Sequence, residues 1–274
     1  MTIACLSGKG GAGKTFVAVN LAYAAGKSTY IDCDVEEPNG RLFFKPEDVI
    51  EEPVYQAQPT FDADKCNGCK ACVKACRFHA LMYVKEKPVL FSEVCHDCGL
   101  CMLVCLQGAI SEEQYSVGVI ESGHHKGVKV ISGILNTGEA SGIPVIHKAL
   151  KCAEGTTILD GPPGSACSVM ETIMDADYCV LVVEPTAFGF HNFKMVHELA
   201  GLLGKKCGVV INKQTAPYEP LEEYCREHGL TVLDRITYRP ELARHLANNE
   251  IAAECFPEEL KRFRTILDKI GGAV

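Results

Sequence analysis

Residues 7–15 read "SGKGGAGKT", set between the apolar run "TIACL" (2–6) and a helix-like stretch from Lys14 to about Ala25. Gly8, Gly13, Lys14 and Thr15 satisfy G-x-x-x-x-G-K-[ST], with a strand before the loop and a helix after it, as phosphate binding requires. The glycines let backbone N–H groups turn toward phosphate oxygens, and the helix N-terminus favours negative charge. Lys14 is placed for the β and γ oxygens and the Thr15 hydroxyl for Mg²⁺. One cation is left over: Lys9.

Working outward, a second strand, "STYIDCD" (28–34), follows the helix at once, which is the opening of a parallel α/β sheet. After Pro59 the strand–helix rhythm stops and eight cysteines fall between Cys66 and Cys105. From about Val128 the rhythm resumes with "VKVISGIL", "TTILDGPPG", "YCVLVVEPT" and "KCGVVINK", and Phe193, Val196, Leu199 and Leu203 mark a helix over Asn192–Leu203. The reading is an α/β, mostly parallel domain over 1–58 and 113–274, interrupted by a small α+β module at 59–112.

The module repeats itself with a shift of 29 residues: Cys66, Cys69, Cys72 and Cys76 fall on Cys95, Cys98, Cys101 and Cys105. Between the halves, "LMYVKEKPVLF" (81–91) reads as a hairpin. C-x-x-C-x-x-C-x-x-x-C run twice is the spacing of two 4Fe–4S clusters, in which three thiolates hold one cube and the fourth cysteine, expected to start a helix, reaches the other. That rule assigns Cys66, Cys69, Cys72 and Cys105 to one cluster, and Cys95, Cys98, Cys101 and Cys76 to the second. Two zinc sites are the alternative, but structural zinc usually takes two separated cysteine pairs.

With "KGGAGKT" and both cysteine runs in view, the chain resembles, over essentially its whole length, the MinD/ParA/nitrogenase-iron-protein (SIMIBI) class of P-loop ATPases carrying an inserted two-cluster bacterial ferredoxin. The proline usual after each fourth cysteine is replaced here by Arg77 and Leu106. The resemblance implies ATP or ADP with Mg²⁺, held by Gly8, Gly10, Gly11, Ala12, Gly13, Lys14, Thr15 and Phe16. It implies that Lys9 crosses a nucleotide-sandwich homodimer to the partner's phosphates. Asp34 then matches a carboxylate that positions the attacking water, Asp160 the acidic residue near Mg²⁺, Gly164 the γ-phosphate sensor and Asn212 the residue that reads adenine.

A net charge of −8 argues against retention on nucleic acid or anionic lipid by bulk charge. The N-terminus shows no leader pattern and no apolar run is of membrane-spanning length, so a cytoplasmic protein without stable membrane association is expected. Sixteen cysteines in such a chain point to metal or redox chemistry. Of those outside the module, Cys5, Cys179 and Cys207 read as small core residues and Cys167 as a thiol at a helix start, with a dimer-bridging cluster as its alternative. His124 and His125 read as surface residues of a polar turn, and Glu139 as a loop carboxylate or a dimer contact. The C-terminal stretch with Leu260, Phe263, Ile266, Leu267 and Ile270 on one face reads as a helix packed on its own sheet.

Three functions are then expected in order. The first is an ATP-gated electron-transfer component serving an unidentified redox partner. The second is a cluster-assembly carrier of the Mrp kind, although no two of the remaining cysteines are closer than 12 residues. The third is a membrane- or DNA-positioning ATPase.

Overall fold

The computed structural model describes residues 1–273. Its strands are β1 (Thr2–Leu6), β2 (Ser28–Asp32), β3 (Glu47–Phe61), β4 (Leu81–Val84), β5 (Lys87–Leu90), β6 (Ile110–His125), β7 (Val128–Leu135), β8 (Thr157–Asp160), β9 (Tyr178–Val183), β10 (Lys206–Gln214) and β11 (Thr231–Thr237). The helices are α1 (Lys14–Ala24), α2 (Gly40–Phe44), α3 (Ala71–Ala75), α4 (Leu100–Leu103), α5 (Ile143–Leu150), α6 (Cys167–Ile173), α7 (Ala187–Leu202), α8 (Glu219–Glu227), α9 (Pro240–Ala247), α10 (Ala252–Cys255) and α11 (Pro257–Gly271). By contact the chain divides into two compact units, the first made of Met1–Glu51, Ile120–Ile134 and the chain from Ile146 onward, the second of Glu52–Val119 and Leu135–Val145.

Nine strands form one sheet in the order β11-β10-β9-β1-β8-β2-β7-β6-β3. From β11 to β7 every pairing is parallel. Strands β2, β8 and β9 are buried along their whole length, as central strands of a sheet covered on both faces must be, and β9, "YCVLVV", is accordingly an unbroken apolar run. Helix α1 lies in the apolar layer with Phe263, Ile266 and Ile270 of α11, and the Phe16 and Phe263 rings meet edge to face at 5.8 Å. The apolar face of the C-terminal helix is therefore spent on its own domain.

The loops after β1, β2 and β8 all leave the carboxyl edge of the parallel sheet, where open α/β sheets bind ligands. Helix α7 begins five residues before the expected Asn192, because the Thr186 side chain caps it by accepting from the Gly189 N–H at 3.0 Å. The polar turn expected at His124 and His125 is instead Lys126-Gly127, both with positive φ (43° and 88°), the geometry that joins β6 to β7 as a hairpin. His125 ends β6, half-buried against Phe44 and 3.2 Å from Glu254.

The expected module at 59–112 falls inside a larger unit, since β3 and β6 each run as one strand across the boundary. Within this unit β4 and β5 pair antiparallel from Leu81↔Leu90 to Val84↔Lys87, as "LMYVKEKPVLF" predicts. The sequence repeat is a structural repeat. Lys70 (φ 60°) and Gly99 (φ 67°), 29 residues apart, take the left-handed conformation and open the short helices α3 and α4. One expectation fails here: Cys76 is the extended residue that terminates α3, and Cys105 follows the end of α4, so each fourth cysteine closes a helix. The left-handed residue inside each C-x-x-C-x-x-C run starts the helix early, and its last turn delivers the fourth thiol.

Candidate functional site

In the first unit the phosphate loop is shaped by two glycines for different reasons. A Cβ at Gly8 would lie 2.2 Å from the Asn192 carbonyl oxygen of α7, so packing requires glycine there. Gly13 has φ 94° and stands against Asn212, whose amide nitrogen a Cβ would meet at 2.1 Å. Gly10 and Gly11 have open space around them, and Ala12 is buried. The Gly164 N–H donates to the Ser7 carbonyl at 2.9 Å, which ties the loop after β8 to the phosphate loop.

Lys14 is buried and its Nζ lies 2.6 Å from Asp160 Oδ1, while the Tyr30 hydroxyl donates to Asp160 Oδ2 at 2.8 Å. Burial works most strongly against the Lys14 charge, but the Asp160 charge and hydrogen bond, with Asp32 and Asp34 behind them, together carry the ammonium above its ordinary range. Asp32, at the end of β2, accepts from the backbone N–H groups of Asp34 (3.1 Å) and Gly40 (2.8 Å) and so fixes the shape of the loop that bears Asp34. Burial first, and then the Asp160 charge, raise Asp32 to about 8. Burial raises Asp34 to about 6, against the pull of Lys14. One lysine thus faces three carboxyl groups, a surplus of acidic groups that leaves room for an added cation.

These shifts predict a pH dependence. Between the ordinary carboxylate range and about pH 8 the folded chain holds a proton on Asp32 that the unfolded chain releases, so stability falls as pH rises through that window. Asp32→Asn removes this dependence. The melting temperature of nucleotide-free Asp32→Asn should therefore gain on the wild type between pH 5 and pH 9, as scanning calorimetry in matched buffers would show. A constant difference over that range would contradict the assignment.

Lys9 does not face its own loop. Its Nζ lies 2.8 Å from Glu184 Oε2 at the end of β9 and 5.3 Å from the Phe188 ring centroid, with 22% of the side chain exposed. Asn212 sits inside β10, buried, and donates to the Ala12 carbonyl at 2.9 Å; Lys213 donates to that of Gly11 at 2.6 Å. Beyond them opens a cleft of about 410 Å³, counting its open mouth, lined by Gly13, Phe16, Asn212, Tyr238, Arg239 and Leu242 and apolar on most sides. Sequence reasoning missed Tyr30, Glu184 and the 238–242 wall. Glu184 was findable, being the first residue past a fully buried strand; Tyr30 and the wall carry no local signal.

The second unit brings the eight module cysteines together in two sets. Cys66, Cys69, Cys72 and Cys105 line a cavity of about 390 Å³ with Phe61 and Ile110. Cys95, Cys98, Cys101 and Cys76 line another of about 430 Å³ with Phe78 and Leu81. The sets are crossed, each run lending its fourth thiol to the other. The Ala80 N–H donates to Cys76 Sγ and the Ala109 N–H to Cys105 Sγ, both at 3.3 Å, so the repeat extends to the donors that orient the sulfurs. Four converging thiols, backbone N–H···S bonds and an apolar lining fit a 4Fe–4S cube in each cavity. Cys167 begins α6 exposed, and Cys5 and Cys179 are buried in strands, while Cys207 is half-buried. Glu139 is paired with the Tyr115 hydroxyl within the same unit.

A glycine loop between a buried parallel strand and a helix, with a second loop lysine and an aspartate at the end of β8, defines a P-loop nucleotide-binding ATPase domain of the MinD/ParA type. The chain belongs to the CobQ/CobB/MinD/ParA nucleotide binding domain family, which residues 3–252 match. Two uncharacterized proteins of Methanocaldococcus jannaschii are similar in sequence. One is 33% identical over 232 residues, covering 78% of this chain and 78% of the relative; the other is 27% identical over 235 residues, covering 78% and 80%. Among solved structures, the cell division ATPase MinD of Pyrococcus furiosus shares the fold with a TM-score of 0.61 at 19% identity, over 100% of this chain and 99% of that one. MinD of Pyrococcus horikoshii, complexed with Mg-ADP, gives 0.61 at 19% identity over 98% and 96%.

Proposed function

We propose that this ATPase domain hydrolyses ATP as a nucleotide-sandwich homodimer and gates electron transfer through two 4Fe–4S clusters held in the same chain. The observation that carries the reading is the pair of crossed four-cysteine cavities in a chain that also has a phosphate loop with Lys9. In this account Lys14 and the loop N–H groups hold the phosphates, Thr15 and Asp160 serve Mg²⁺, Asp34 orients water and Gly164 senses the γ-phosphate. Phosphoryl transfer needs positioning and charge neutralisation more than covalent help, and this set of groups suffices for it. The clusters supply one-electron redox chemistry, and nucleotide state supplies a two-state switch acting on their exposure or potential.

Protein purified without oxygen should contain about eight iron and eight sulfide per chain, the content of two cubes. A chain that binds about two zinc and no sulfide instead would overturn the redox reading. A positioning ATPase is the other reading, since the P. furiosus protein is a cell division ATPase. Against it, the face of α11 that a membrane-binding helix would need is buried at Phe263, Ile266 and Ile270. Among the described residues no helix is long and apolar enough to cross a membrane.

A further inference from the structure

We propose that His245, Glu250 and Cys255 form a binding site for a thiophilic divalent cation, Zn²⁺, distinct from the phosphate loop and from the cysteine cavities. One ligand atom from each, the His245 ring nitrogen, a Glu250 carboxylate oxygen and Cys255 Sγ, lie within 4.8 Å of one another. His245 Nδ1 is in hydrogen-bond contact with Glu250 Oε2, and the thiol stands beside the pair. A cation at that point is bound by neutral imidazole, carboxylate and thiolate.

The backbone that presents the three groups is held from several directions. The Glu250 N–H donates to the His245 carbonyl at 3.0 Å, and Asn249 between them takes a left-handed φ of 55°. The Cys255 N–H donates to the Ile251 carbonyl at 3.1 Å, while Ile251, Ala252 and Ala253 are buried. The Ala253 N–H is fixed by the Asn20 side chain of α1 at 2.6 Å. Phe256 packs edge to face on the His245 ring at 4.7 Å. The ligand set is thus positioned by the fold and does not depend on an unsupported loop.

The donor set selects the metal. One thiolate, one imidazole and one carboxylate suit a borderline-soft ion, and zinc takes such mixed sets at three positions with the fourth left for water. Binding converts the Cys255 thiol to a thiolate with release of one proton to solvent, and thiolate and carboxylate together neutralise the ion. The neighbouring Glu254 is already engaged by Lys126 and His125. An ion here would tie the end of α9 to α10, next to Leu242 and Leu246, which line the apolar cleft beside Asn212.

The test is zinc bound per chain in anaerobically purified protein equilibrated at about 1 µM free Zn²⁺, with iron counted in the same samples, for wild type, Cys255→Ser and His245→Ala. One zinc per chain is expected to be lost in both variants at unchanged iron, with affinity lowered more than about 100-fold, beyond what loss of an outer-shell partner costs. Zinc-edge absorption of the wild type should show one sulfur near ~2.3 Å and nitrogen or oxygen near ~2.1 Å. The same zinc count in wild type and both variants, whatever its total, would overturn the proposal. Cys255 is exposed, so its serine variant should fold.

Discussion

Removing both Cys76 and Cys95 should leave one intact cluster, whereas removing both Cys76 and Cys66 should leave none. Crossed ligation makes Cys76 and Cys95 members of one set, so alanine at both positions destroys one site once, and about four of about eight irons remain. Cys66 belongs with Cys105, so pairing its loss with that of Cys76 destroys both sites. In-line ligation, each run holding its own cube with its own fourth cysteine, predicts the reverse for the two double variants. Iron and sulfide counts on five proteins, the two doubles and the single variants Cys66→Ala, Cys76→Ala and Cys95→Ala as controls at about half content, decide between them. Both doubles retaining equal iron would contradict the geometry of the cavities.

The second large effect concerns Lys9. Lys9→Ala should lower ATP hydrolysis by about 10³-fold, the scale of a cation supplied in trans to a phosphoryl-transfer site, while ATP binding changes little. Lys14→Ala should lose binding as well, because Lys14 lies within the loop beside Asp160. The physical ground for the difference is that the Lys9 ammonium pairs with Glu184 and lies over Phe188, whereas Lys14 is buried against Asp160. In the proposed dimer the pair with Glu184 would have to open for Lys9 to reach the partner's nucleotide. The wild-type rate per chain should accordingly rise with protein concentration. Equilibrium nucleotide binding and turnover measured over a range of concentrations test both statements, and a Lys9→Ala protein with normal turnover would remove the dimer from the account.

The parallel sheet was legible in the sequence because its central strands are buried on both faces, so that "YCVLVV" reads as an apolar run and "YIDCD" and "TTILD" as short strands that end in a carboxylate. The phosphate loop and the cysteine repeat were legible because fixed spacing is itself the chemistry. Strands β3 and β6 were not. Their ends are polar and exposed, as at Glu47–Pro53 and Ser111–Tyr115, so neither hydrophobic period announces them. The direction of the fourth cysteine was misread for a local reason, since spacing fixes which thiols converge but not which end of a short helix delivers them. Long-range pairs such as Tyr30 with Asp160, or Lys9 with Glu184, depend on strand order, which no single stretch encodes.

In the proposed function nucleotide state and cluster state are coupled. If ATP binds one redox state ten times more tightly than the other, linkage requires a shift of about 60 mV in a one-electron midpoint potential. An anaerobic EPR-monitored redox titration with Mg-ATP, with Mg-ADP and without nucleotide measures this directly. The account predicts that the ATP curve separates from the other two by a shift of that order, and that Lys9→Ala abolishes the separation. Three superimposed curves, with both clusters present and ATP bound, would contradict it.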